Sequence, residues 1–370
     1  MGARMTYLPQ HGRRRLLGFL ATLPVLVRAG EPLAAPPARV ASAAPPVAIA
    51  PFPDGANLLV AGPNDGALSR WADAVLPALE QSLPPDTSIR RTVVGGADGV
   101  TGANQFEARG APDGLTVLLV PGQAALAWMV GDPRAQFDVG RWVPVMAAVV
   151  PGLVVGRQAV LGQDGRVRIA AGGPAGLDLP ALLGCELLGV RAEPVSGLTE
   201  PAMVRNAFAQ GLIDAAFLNG HGMAGHYAAL AAAGAQPLFT LGALDDVGQM
   251  GRDPAFPDVP HLAELYEMRS GRKLAGPLYD AWGAAAAAAR LEFALVLPQL
   301  TPAAMVSLWR RAGTEATAAA AVRTVGTSLG VRPLGGPAAT AGTAATAADS
   351  TSLLELRRWL ASRFNWHPTQ

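Results

Sequence analysis

Charge is scarce and evenly split in this chain. Only 15% of its 370 residues are charged, 29 basic against 28 acidic, for a formal net charge of +1. That balance removes the electrostatic footprint of a nucleic-acid binder, and no polyanion partner is implied. A second cysteine is missing, so Cys185 can form no intramolecular disulfide and cysteine usage says nothing about the redox compartment. In Leu182 to Leu188 that lone thiol reads as a small buried hydrophobe. The motifs of several chemistries are absent too. Gly96, Gly99 and Gly102 recur every third residue, unlike the dinucleotide fingerprint, and no phosphate-loop lysine follows them. His221 and His226 stand five apart, off any shared helical face, with no cysteine or acidic pair at zinc spacing. They read as loop residues. Asp245, Asp246 and Asp253 lack calcium-loop spacing and read as turn residues. No elbow motif surrounds a serine. The expectation is a non-enzyme with no cofactor and no metal.

What is present fits a globular α/β chain: half the residues are hydrophobic, and 370 residues exceed what one compact core usually serves, so two domains are expected. At the N-terminus, Arg13-Arg14-Arg15 precedes an apolar run from Leu16 to Val27, with small residues including Ala41-Ser42-Ala43 further on. This is the pattern of an export signal, twin-arginine-like or secretory, and the run is short for a bilayer span. Gly30 to Pro53 is Ala/Pro-rich and reads as a linker. The expected location is the periplasm.

The most informative stretch runs from Val93 to Val120. Val93-Val94 close a strand, and Gly95, Gly96 and Gly99 form a turn that admits positive φ. Thr101 to Arg109 has helical spacing, Ala111 to Gly114 is a turn, and Leu115 to Val120 is a buried strand. Such a βαβ unit offers unpaired helix-start N–H groups to an anion. Upstream, Asn57 to Ala61 reads as a strand, Gly62 to Gly66 as a turn and Ala67 to Leu83 as a helix. Trp142 to Val155, interrupted by Pro144 and Pro151, suits a buried strand leaving one domain for the other. Beyond it come a strand (Arg166 to Ala171), a helix (Leu179 to Leu188), a strand (Val190 to Pro194), a helix (Glu200 to Gln210) and a strand reached through Gly211 to Phe217. This alternation predicts parallel sheets with helices on their faces.

The segment from Gly95 to Val120, then Asp132-Pro133 with Phe137, Gly211 to Phe217, and Phe256-Pro257-Asp258-Val259-Pro260, resembles in order and spacing the substrate-binding receptors of tripartite tricarboxylate transporters, the Bug family. The resemblance covers most of the chain after about residue 54. It implies a bilobed periplasmic-binding-protein-like fold, two parallel-sheet α/β lobes joined by crossing strands that close on a small carboxylate. It also implies that backbone N–H groups of Gly62–Gly66 and Gly95–Gly99 meet the ligand. The candidate binding residues are therefore Asn64, Asp65, Gly66, Gly95, Gly96, Asp98 and Gly99 from the first lobe, with Ala175, Gly176 and Asn219 from the second.

Several positions depart from the family pattern. Counting four back from Arg70 reaches Gly66, with Asp65 one place off. Asp98 stands where a glycine is common, and a carboxylate there would repel an anion unless it points away. Gly172 to Asp178 carries Pro174, Ala175, Gly176 and Leu177 in place of hydroxyls, and Phe217-Leu218-Asn219 lacks an acidic residue. A monocarboxylate, an amide or an aromatic acid would suit such a pocket better than a di- or tricarboxylate.

In the C-terminal third, Gly283 to Arg290 reads as an inserted alanine-rich helix where the family runs a strand back to the first lobe. Thr301 caps and Pro302 opens a helix through Arg311. Pro337 to Asp349 reads as a loop, and Ser352 to Phe364 as an amphipathic helix burying Leu353, Leu356 and Leu360, with Trp359 and Trp366 packing. The expected organisation is a signal and linker over 1–53, lobe 1 over 54–149 plus 241–370, and lobe 2 over 150–240. The expected function is a monomeric extracytoplasmic receptor that hands a small organic acid to membrane transporter subunits. The alternative is a ligand sensor or degenerate module facing a signalling partner.

Overall fold

The computed structural model describes residues 52, 55–162, 165–198, 200–245 and 248–367. The export signal, the Ala/Pro-rich linker apart from Phe52, and Asp246 lie outside the described residues. Along the chain run β1 (Ala56–Ala61), α1 (Ala67–Ser82), β2 (Ile89–Val94), α2 (Val100–Arg109), β3 (Thr116–Val120), α3 (Gly122–Met129) and β4 (Val143–Val149). Then follow β5 (Gly152–Gly156), β6 (Arg166–Ala170), α4 (Leu179–Leu187), β7 (Arg191–Val195), α5 (Pro201–Ala209), β8 (Ala215–Asn219), α6 (Met223–Ala231) and β9 (Gln236–Thr240). A short hairpin, β10 (Ala243–Leu244) with β11 (Met250–Gly251), comes before α7 (Leu262–Ser270), α8 (Pro277–Arg290) and β12 (Leu291–Leu297). The chain closes with α9 (Ala303–Ala318), α10 (Ala320–Leu329), β13 (Arg332–Gly335), α11 (Gly336–Ala344) and α12 (Ser350–Phe364). Among the described residues, no helix is long and apolar enough to cross a membrane.

The strands form two large sheets, ordered β13-β4-β12-β3-β1-β2 and β7-β6-β8-β5-β9. In the first, β2, β1 and β3 run parallel, and β12, β4 and β13 add antiparallel partners. In the second, β7, β6 and β8 run parallel, with β5 antiparallel between β8 and β9. Each parallel trio comes from strand-helix-strand crossovers, which put helices on the faces and explain why β1 and β3 are apolar on both sides.

The apolar stretch from Trp142 to Val155 is two strands in two sheets. Pro151 cannot donate to a ladder, and the chain passes between sheets at that break, from Val149 to Gly152. The return path is α8 then β12. The alanine run is a helix, as its propensity predicts, but it does not replace the returning strand, which follows immediately. Small side chains let α8 lie deep among α3, α4 and α12: Ala281, Ala285, Ala286 and Ala288 are fully buried, and the Trp282 indole N–H donates to the Pro180 carbonyl at 2.9 Å. Close approach is obligatory at Gly122, where a Cβ would sit 2.0 Å from the Ala288 carbonyl oxygen. One apolar core runs from the first sheet through α8 to the second, and includes Leu118, Trp282, Ile169 and Phe239.

Two other expectations are corrected and a third is extended. Pro337 to Asp349 is mostly helix α11, because its alanines favour helix and the element packs on β4. Asp349 then caps α12 by accepting from the backbone N–H groups of Thr351 and Ser352. Thr301 caps nothing: its hydroxyl donates to the Pro298 carbonyl at 2.8 Å, and α9 starts after Pro302 without a side-chain cap. Asp253 opens a turn as read, its Oδ1 accepting from the Ala255 N–H at 3.0 Å and its carbonyl from the Phe256 N–H at 2.9 Å, but Asp253 itself is buried. It is 3% exposed and meets the Arg290 guanidinium at 3.2 Å, although its Oδ2 accepts no properly directed hydrogen bond. In the terminal helix Leu356 and Leu360 are buried and Leu353 is half-buried. Trp359 packs edge-on against Phe364, and the Trp366 indole donates to the Val130 carbonyl. Cys185 is buried, and burial pushes its thiol up to about 12.

Candidate functional site

The candidate loops follow the carboxyl ends of parallel strands, where open α/β sheets place their crevices. In the first sheet, Gly62–Gly66 follows β1, Gly95–Gly99 follows β2 and Pro121 follows β3. Helices α1 and α3 begin without a side-chain cap and without an acidic residue in the first turn, so no side chain of their own first turns or N-caps occupies their leading N–H groups. Both starts open on a cavity of about 180 Å³, which Gly66, Leu68, Gly122 and Gln123 line together with Asn219 and Glu292.

The second sheet contributes a larger cavity of about 790 Å³ at the ends of β6 and β8. Its polar groups are Gln123, Asp178, Arg205, Asn219 and His226, and Leu198, Val204 and Phe217 supply apolar wall. Gln123, Leu177 and Asn219 line both cavities, which makes them one cleft between the two sheets. Asn219 ends β8 and reaches across, its amide donating to the Ala289 carbonyl at the end of α8 at 3.1 Å.

Of the ten sequence candidates, Gly66, Gly176 and Asn219 line this cleft. Asn64 and Asp65 are exposed and line neither cavity; the Arg70 guanidinium donates to the Asp65 carbonyl at 3.4 Å. Gly95, Gly96, Gly99 and Ala175 also fall outside the lining, although neighbouring Ala97 belongs to it. Gly99 has a conformational role. It takes φ +75° at the start of α2, and a Cβ there would meet Pro121 Cδ at 2.4 Å. Asp98 faces Arg134, whose guanidinium donates to it at 2.8 Å, and it also accepts from the Val100 N–H at 3.2 Å. Its charge is matched in place and does not line the cleft. Asp132, which the same guanidinium holds below the usual carboxylate range, completes that cluster.

The sequence reading missed two carboxyls in the cleft. Asp178 precedes α4. One of its oxygens accepts from the Gly172 N–H at 3.2 Å, and the other is buried without a partner. Burial pushes this carboxyl up to about 6 against the pull of the Gly172 N–H. Glu292 lies on the opposite side, in β12. Burial raises its pKa too, opposed by the Trp71 indole N–H, which donates to it at 3.2 Å, and by the charges of Arg70 and His221. Among the described residues neither carboxyl has an Arg or Lys within ion-pair distance.

The placement of Glu292 has a backbone cause. Leu291 pairs with Val149 and Phe293 with Ala148, so Glu292 is an extra residue, a bulge on β12. Side chains alternate regularly through Phe293, Leu295 and Leu297 on one face and Ala294 and Val296 on the other. Leu291 joins the latter core, out of phase. The slip re-aims the one charged residue of an otherwise apolar strand towards the cleft.

Among solved structures, the chain is similar to a TctC solute-binding protein from Polaromonas, with a TM-score of 0.60 and 18% identity over 82% of this chain and 99% of that one. The fold is that of a TctC-type solute-binding protein. Similarity extends to the periplasmic binding protein BugD (TM-score 0.48, 16% identity, 85% of this chain and 99% of that one). It extends also to MatC from Rhodopseudomonas palustris with bound malate (TM-score 0.46, 19% identity, 83% and 99%). No protein-family model matches the chain, and no curated protein matches it in sequence. At these identities the likeness is one of fold, and TctC-type architecture leaves the ligand to the residues of the cleft.

Proposed function

We propose that this chain is an extracytoplasmic solute receptor that captures a small carboxylate-bearing molecule between two lobes and delivers it to a membrane transporter, with no chemistry of its own. The observation that carries the reading is the convergence of two uncapped helix starts, α1 and α3, with Gln123 and Asn219 on one inter-sheet cleft. Backbone N–H groups at such starts favour a carboxylate and cost no side-chain ordering. The lobes would be 54–149 plus 241–370 and 150–240. Asn219 and Gln123 would contact ligand, and Gly95 and Gly99 would shape the second loop. The TctC-type fold and the arginine-led apolar run at the N-terminus support periplasmic placement and coupling to a transporter.

The test is a thermal-shift screen of the full chain against carboxylates, amides and aromatic acids, with calorimetry on each hit. A ligand at about 100 times its dissociation constant stabilises the folded state by roughly 2.7 kcal/mol, a readily measured shift. A hit that weakens at least tenfold in Asn219→Ala is the expected result. A panel without hits refutes the reading.

A further inference from the structure

We propose that the ligand carries a protonated amino group beside its carboxylate, and that Glu292 is the acceptor that selects it. This inference rests on the receptor reading above and names its ligand class.

A carboxyl in the strand Leu291–Leu297 needs a reason, because the remaining six residues are apolar and buried and charges are expensive to bury without a partner. The Trp71 indole occupies one of its oxygens and fixes its direction, while Trp71 is itself fully buried and packed against Phe293 at 5.1 Å. The bulge breaks the strand's alternation at this residue and places it on the wall of the smaller cavity. Among the described residues, that cavity has no cationic side chain in its lining. Helix starts α1 and α3 and Glu292 therefore offer one small volume both anion-binding N–H groups and an anion. A second carboxylate of a dicarboxylic ligand placed here would face Glu292 with like charge. An ammonium beside the ligand's carboxylate would instead complete the charge pattern that the protein leaves open. On the adjoining wall Asp178 repeats the theme, with an oxygen that no donor among the described residues reaches.

The test uses matched acids that differ only in the amino group: alanine against propionate, aspartate against succinate, glutamate against glutarate. Affinities are measured by calorimetry on the full chain at pH 7.5. In the wild type, at least one amino acid should bind tenfold or more tightly than its nitrogen-free partner. Glu292→Gln should reduce that preference to less than threefold, and Glu292→Asp, which keeps the charge, should retain its sign. Urea midpoints establish that the variants fold, and if Glu292→Gln does not, the aspartate variant and the wild-type pairs still decide. Equal or tighter binding of the nitrogen-free acids by the wild type overturns the inference while leaving the receptor reading intact. A preference undiminished in Glu292→Gln overturns the role of Glu292. Silence from all six compounds, with nitrogen-free hits elsewhere in the carboxylate screen, also overturns the inference alone; silence throughout both panels removes the receptor reading with it.

Discussion

Replacing Asp178 by asparagine keeps the shape of the side chain and the acceptor for the Gly172 N–H, and removes a charge that has no partner on its second oxygen. The carboxyl titrates near 6 in the folded chain against 3.8 for the ordinary group, and burial is the cause. A raised folded-state pKa means that the native state holds the proton more tightly than the unfolded chain. Stability from this group is therefore fully present below about pH 4 and is lost as pH rises through 6. The gap corresponds to roughly 3 kcal/mol at about 1.4 kcal/mol per pH unit. The folded-state value already contains every influence on the group, so this is the whole loss expected on ionisation. The substituted amide mimics the protonated carboxyl at every pH. The assay is urea unfolding of both proteins at half-unit steps from pH 4 to pH 8, followed by tryptophan fluorescence. The stability of Asp178→Asn minus that of wild type should rise by about 3 kcal/mol between pH 4 and pH 7, and level off above. Parallel profiles would refute the reasoning, because they would mean that the buried oxygen is solvated or paired in the native state.

Other substitutions probe how the two sheets are joined. Gly122→Ala puts a Cβ against the backbone oxygens of Ala288 and Leu291, at 2.0 and 2.7 Å, and neither can swing away. Thermal unfolding should show a loss of roughly 1–3 kcal/mol, the usual penalty of overpacking, or a failure to fold. Asp253→Asn removes the negative charge at 3.2 Å from the buried Arg290 guanidinium, which keeps the Val150 carbonyl as a neutral acceptor at 3.1 Å. A cost of about 3–5 kcal/mol in urea is expected, and adding Arg290→Met should recover most of it. Asn219→Ala removes the bond to the Ala289 carbonyl, for about 1 kcal/mol of stability, and should weaken any cleft ligand at least tenfold by calorimetry.

The first half of the architecture was legible because local signals agreed there. Glycine turns precede amphipathic helices, the apolar runs are short, and the β1-α1-β2-α2-β3 series came out with boundaries close to those read. Composition misled elsewhere. Ala, Thr and Gly between Pro337 and Asp349 suggested a loop, whereas alanine's propensity and the β4 surface under it make α11. The reading of Trp142 to Val155 as one strand failed for a different reason: hydrophobicity is the same in both sheets, so only Pro151 marks the change of sheet. Asp253 was legible as a turn acid, but its burial was not, because its partner Arg290 lies 37 residues away in sequence, at the end of a helix that composition alone could not place.

Glu292 shows why the cleft was harder to read than the fold. A lone glutamate inside Leu-Glu-Phe-Ala-Leu-Val-Leu was available as a signal, since an acid in an apolar run is rarely idle. Its direction was not available. On a regular strand a residue at that position would share the face of Ala294 and Val296, and those two side chains point into the core. Only the bulge, which takes Leu291 onto that face instead, frees Glu292 to line the cleft, and a bulge depends on how β12 pairs with β4 across the sheet. The glycine loops that the family pattern emphasises lie in local sequence, so their places after β1 and β2 could be read. Glu292 is placed by a pairing register between strands about 140 residues apart, and no local pattern encodes that.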